Sequence, residues 1–98
     1  MRIDLRDIHN SLVLPDNRRV ILLNWSVKGI DTSRNVFLLD NKSKVIWQIR
    51  SDSDSEKTSG PFTKLCITDG RLRAYRWDGG MYDIDGETGF ATPAEFLK

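Results

Sequence analysis

Phe62-Thr-Lys-Leu-Cys-Ile-Thr-Asp69-Gly70-Arg-Leu-Arg-Ala-Tyr-Arg-Trp77 alternates side-chain character on both sides of an Asp-Gly pair. Asp-Gly suits a two-residue type I′ turn, whose central residues both take positive φ, so the stretch reads as a β-hairpin. Pairing outward from the turn sets Thr68 opposite Arg71, Cys66 opposite Arg73, Lys64 opposite Tyr75 and Phe62 opposite Trp77. Ile67 with Leu72 and Leu65 with Ala74 fall on the other side. One face is aliphatic, and the other is basic and aromatic.

Asp78-Gly79-Gly80 then leads into Met81 to Asp85, a second hairpin whose register decides its meaning. A two-residue turn would set Asp83 beside Ala74 on the aliphatic face, a costly place for a carboxylate. A three-residue turn pairs Ala74 with Ile84, Arg76 with Tyr82, Tyr75 with Asp83 and Arg73 with Asp85. It buries apolar groups and pairs charges, and is the expected register. Asp85-Gly86-Glu87-Thr88-Gly89 is one more turn, before a short strand around Phe90-Ala91. Thr92-Pro93-Ala94-Glu95 fits a capping box, so a short C-terminal helix is expected, with Phe96 and Leu97 docked on the sheet.

Towards the N-terminus, Ile3 and Leu5 alternate with Arg2, Asp4 and Arg6, which predicts an opening strand ending near Ile8. Leu12-Val13-Leu14 is an apolar stub stopped by the turn residues Pro15-Asp16-Asn17. Arg19 to Trp25 is a strand apolar on both faces and therefore central. Asn35 to Leu39 and Lys44 to Ile49 form a hairpin around Asp40-Asn41-Lys42-Ser43; a four-residue loop sets Val36 opposite Trp47, Leu38 opposite Val45 and Phe37 opposite Ile46. Arg50 to Pro61 has no structural signal, and Ser51 to Glu56 lacks any apolar residue, so residues 50–61 are expected to be a mobile solvated loop.

The sum is an all-β antiparallel meander of about seven or eight strands, closed as a small barrel or folded as a two-layer sandwich, in one domain spanning residues 1–98. Fifteen Lys and Arg stand against fourteen Asp and Glu, a net charge of +1, so any case for nucleic acid must rest on local clustering. Cys66 is the single cysteine, which excludes an internal disulfide and a cysteine-based zinc site; it is read as a strand residue and not a nucleophile. Asp4 and Asp7 interrupt the first eleven residues where a secretory signal would be apolar, and the longest apolar run, Val20 to Leu23, cannot span a bilayer. A soluble cytoplasmic protein is expected.

Val36 to Val45 and Met81 to Phe90 echo one another, with Asp40 and Asp85 separated by 45 residues, near the period of a propeller blade. Asp40 to Trp47 and Tyr82 to Gly89 resemble the blade pattern of quinoprotein-type β-propellers, in which an Asp turn is followed by Gly or Lys and then Trp. The resemblance implies a twisted antiparallel meander. It carries over no quinone or calcium site, and a closed propeller needs at least about four blades where this length supplies about two.

No motif supplies catalysis. His9 lies near Asp7, but no Ser or Cys is placed by motif as the third partner of a triad. Asp83-Ile84-Asp85-Gly86-Glu87 alternates acids like the opening of a calcium loop, yet lacks its Gly at position six and Glu at position twelve, so structural ion pairing with Arg73 is the preferred reading. No Gly-Lys-Ser/Thr follows the glycines, and neither metal nor cofactor is expected. The candidate site is the face carrying Phe62, Lys64, Arg71, Arg73, Tyr75 and Trp77. Aromatics among cations serve protein interfaces and sheet-based single-strand binders alike, and can also be internal packing under Arg stems. The expected role is non-catalytic: a small bacterial binding or adaptor protein, of which a toxin-neutralising immunity protein is one version, engaging another protein or a second copy through a sheet face or edge. The alternative is a single-stranded nucleic-acid-binding β-domain.

Overall fold

Most strands of this chain are short runs rich in branched and aromatic residues that stop at Asp, Asn or Pro. The computed structural model describes residues 5–24, 34–51, 61–77 and 80–94. The first sheet is an antiparallel meander of β1 (Ile8–Val13), β2 (Arg19–Leu23), β3 (Val36–Leu39) and β4 (Val45–Gln48), in that order. Past Ile49 the chain crosses into the second sheet as β5 (Arg50–Ser51). That sheet continues with β6 (Phe62–Thr68), β7 (Arg71–Arg76), β8 (Met81–Ile84) and β9 (Phe90–Pro93), ordered β5-β9-β8-β7-β6. Eight strands pair antiparallel as expected; β5 adds a two-residue parallel pairing with β9.

The two sheets pack face to face as a sandwich, not a closed barrel. Val20, Leu22, Val36, Leu38, Trp47 and Ile49 from one side meet Phe62, Leu65, Ala74, Tyr82, Ile84 and Ala91 from the other. A second cluster of Ile21, Leu23, Phe37 and Leu39, joined by Ile8 and Val45, occupies the opposite face of the first sheet. Thus β2 and β3 are buried on both faces, as their unbroken apolar runs require.

Two ties fasten the sheets together, and a third bond anchors β5 in the second. Fully buried Asn35 donates from Nδ2 to the Leu23 and Phe62 carbonyls and accepts from the Phe62 N–H, at 2.8, 2.9 and 2.8 Å. The Trp47 indole N–H donates to the Gly86 carbonyl at 2.9 Å, and its ring lies on Gly89 so closely that a Cβ there would sit 2.6 Å from ring carbons. Arg50 N–H donates to the Gly89 carbonyl at 3.1 Å, where β5 enters the second sheet.

Two hairpins share one turn geometry. Leu14 and Asp40 each donate their N–H to a carbonyl four residues on (Arg18, Lys44) and accept from the residue three on (Asn17, Ser43). Asn17 and Ser43 hold φ of 70° and 65°, the left-handed residue that closes a three-residue hairpin. The Asp40 carboxylate accepts N–H bonds from Lys42 and Lys44 at 2.8 and 2.9 Å, and these backbone bonds, Lys44 first, hold its pKa below the usual carboxylate range. Asp16 is lowered in the same direction, first by the Arg18 N–H and then by the Arg18 side chain.

Several expectations are corrected. The opening strand does not end at Ile8 but begins there: Leu5–Asp7 is a 3-10 turn, and β1 runs through His9-Asn10-Ser11 into the apolar stub. An edge strand needs only one half-buried side, so polar residues on β1 hid it from pattern reading. In the β3–β4 hairpin Leu38 faces Trp47 and Leu39 faces Val45, because a bulge leaves Ile46 unpaired and exposed. A second bulge, at Thr63, sets Phe62 opposite Arg76 and not opposite Trp77. Between β7 and β8 the observed partners are Arg73 with Asp83, Ala74 with Tyr82 and Tyr75 with Met81, because Arg76 N–H pairs with the Gly80 carbonyl and Trp77 lies in the turn. The C-terminal helix is not seen: Thr92 and Pro93 belong to β9, where Pro93 faces Tyr82, and residues 95–98 lie outside the described residues. Residues 50 and 51 form β5, not loop, while 52–60 of the expected mobile segment also lie outside them.

Candidate binding face

The Asp69-Gly70 turn takes φ of 52° and 76°, and from it the ladder runs as the alternation demands: Thr68 with Arg71, Ile67 with Leu72, Cys66 with Arg73, Leu65 with Ala74 and Lys64 with Tyr75. Because Leu65, Ala74, Tyr82 and Ile84 face the core, their neighbours Lys64, Arg73, Tyr75, Met81 and Asp83 share the outer face of the second sheet.

On that face the Lys64 ammonium stands 5.8 Å from the centre of the Tyr75 ring, a cation–π pair across the ladder. Arg73 donates from Nε to Asp83 Oδ1 at 2.8 Å, with side-chain exposures of 23% and 38%, and its Nη1 lies 4.0 Å from the Met81 sulfur. Among the described residues Arg71, exposed at the turn end, forms neither ion pair nor side-chain hydrogen bond. Trp77 sits at the opposite end, 63% exposed, with its N–H on the Pro61 carbonyl at 3.0 Å.

Phe62 does not belong to the face. The Thr63 bulge turns it inward, fully buried, edge-on to Tyr82 with centroids 5.5 Å apart. Arg76 lies with it: its guanidinium stands 4.4 Å from the Phe62 centroid and 5.0 Å from that of Tyr82, and Nη1 donates to the Tyr82 hydroxyl at 3.2 Å. The inner position of Arg76 follows from its spacing of two from Ala74; its expected partner Tyr82 is met, though by a diagonal contact and not in register. The pairing foreseen for Arg73 with Asp85 is made instead with Asp83, two residues earlier.

Other candidates stand apart. His9 is an exposed residue of β1, on the other sheet from Cys66, whose sulfur lies 3.8 Å from the Thr68 hydroxyl. Among the described residues no group of three or more His, Cys, Asp or Glu gathers as a metal site. No helix among them is long and apolar enough to cross a membrane.

The turns that carry Asp40 and Asp85 are equivalent in place, each joining the third and fourth strands of its meander, and each Asp accepts from the N–H two residues on (Lys42, Glu87) at 2.8 Å. The echo in the sequence is thus a shared hairpin device. Residues 1–96 match the model of a family described as Domain of unknown function (DUF7957), and not of the quinoprotein-type propellers. No curated protein and no solved structure matches the chain.

Proposed function

The chain belongs to the DUF7957 family, and we propose that it is a non-catalytic binding protein that holds another protein against the outer face of its second sheet. One observation carries this reading: Trp77 is 63% exposed at the end of a face that also presents Tyr75 and Lys64. Leaving an indole in water forgoes about 2–3 kcal/mol of burial, which a partner pocket recovers. Tyr, Trp and Arg are the residue types that dominate interface energetics. Lys64 and Arg71 have no carboxylate partner among the described residues, so the fitting partner surface is acidic around an apolar pocket. Neutralisation of a toxin by a bacterial immunity-type protein is one form such binding takes.

The test is co-purification from the native cell with the intact chain and with Arg73→Ala/Tyr75→Ala/Trp77→Ala. A partner present with the first and lost with the folded variant supports the reading, and an unchanged set of partners overturns it. A second reading, single-stranded nucleic acid, is favoured by the Lys64 cation over the Tyr75 ring beside an exposed indole, an arrangement that suits base stacking. It requires quenching of tryptophan fluorescence by oligonucleotides that weakens steeply with salt; no binding at low salt removes it.

A further inference from the structure

The three-residue turn at Leu14–Arg18, the Asp69-Gly70 turn and the Asp85–Gly89 turn gather at one end of the sandwich around a depression of about 700 Å³. That volume is in the range of small-molecule sites. Its walls are apolar: Leu14 from the first sheet, and Ile67, Leu72, Ile84 and Phe90 from the second. Leu14 and Leu72 are only partly buried against the core, and Ile67 is 45% exposed, so the wall continues the main core outward.

Three charged residues line this depression: Arg71, Asp83 and Asp85. Both acids are already engaged. Asp83 is bonded to Arg73 at 2.8 Å, and Asp85 Oδ1 accepts the N–H groups of Glu87 and Thr88 at 2.8 and 3.3 Å. Arg71 alone of the three has no partner among the described residues. An exposed guanidinium beside an apolar wall recognises a carboxylate through charge-assisted, paired N–H bonds.

We propose that this depression binds a small amphipathic carboxylate, with its apolar tail against Leu14, Leu72 and Ile84 and its carboxylate on Arg71. The site adjoins the outer face at Arg71 and Asp83, while Lys64, Tyr75 and Trp77 do not line it. Titration of the isotopically labelled chain with octanoate, protonated octylamine and octanol, followed by amide chemical shifts, tests it. Octanoate is expected to bind at about millimolar concentration and about tenfold more tightly than the other two, moving amides of Leu14, Leu72, Ile84 and Phe90. Arg71→Gln is expected to abolish that preference and Arg71→Lys to retain part of it. Both leave the fold intact, checked by the rest of the amide spectrum, because the Arg71 side chain makes no hydrogen bond or ion pair among the described residues. Trp77→Ala, which impairs the proposed protein-binding face, leaves octanoate binding unchanged. Octylamine binding as tightly as octanoate, shifts scattered away from the depression, no binding at about 10 mM, or an Arg71→Gln variant that keeps the preference each overturns the proposal.

Discussion

Gly89 and Asn35 are the two residues whose side chains, one absent and one polar, are imposed by their neighbours. Gly89 has φ of 77°, and the Trp47 ring occupies the space a Cβ would need. Gly89→Ala combines a left-handed backbone with a collision and is expected to lower stability by about 2–4 kcal/mol in urea unfolding. Gly86, in the same turn, has open space around it and no positive φ, so Gly86→Ala is expected to change stability by less than about 0.5 kcal/mol. Equal losses for the two would show that Trp47 does not rest on Gly89. Asn35→Leu strands the Phe62 N–H and two buried carbonyls, and a loss of about 3 kcal/mol or more is expected by the same measurement. Neither role was legible in the sequence, because Gly89 looked like any turn glycine and Asn35 like the first residue of a strand. Contacts over 27 and 39 residues, as for Asn35 with Phe62 and Trp47 with Gly86, leave no local signal.

Hairpins are where local chemistry speaks plainly. Asp69-Gly70 fixed five cross-strand pairs of β6 and β7 without help from the rest of the molecule. Bulges are where it fell silent: at Thr63 and Ile46 one extra residue shifts the ladder, and nothing in the side chains announces it. Alternation puts Lys64, Arg73 and Tyr75 on one face, as the ladder has them, whereas Phe62 leaves that face at the bulge. Between β7 and β8 the parity of the register was right, so inner and outer residues were assigned properly while their partners were two positions off. The turn carboxylates give a pH prediction. Asp16 and Asp40 have folded pKa values depressed by backbone N–H bonds, so each adds stability above its unfolded pKa that is lost as pH falls through the folded one. Asp16→Ala/Asp40→Ala is therefore expected to melt below the intact chain at pH 6, with the gap closing below about pH 3. A gap that persists at low pH would place the effect elsewhere than in the carboxylates.

The whole molecule is two meanders that cannot be finished separately. Each supplies one wall of the main core, and β5 belongs to the first half of the chain but pairs in the second sheet. Polypeptides 1–55 and 56–98 are expected to be unfolded alone and to regain native circular dichroism when mixed; independent folding of either would contradict a shared core. The crossing of β5 also arranges the edges. It sets a two-residue strand beside β9, and among the described residues β6 is the border strand on the other side, where Lys64 offers charge against unwanted pairing.

Trp47 finds its acceptor at Gly86, 39 residues on, and Arg50 finds its own at Gly89 in the same turn. During synthesis the first meander emerges complete in its own ladder, yet with an indole donor and a strand end that nothing can satisfy. A nascent chain halted before residue 86 is left unlatched, so closure of the two sheets waits on the β8–β9 turn.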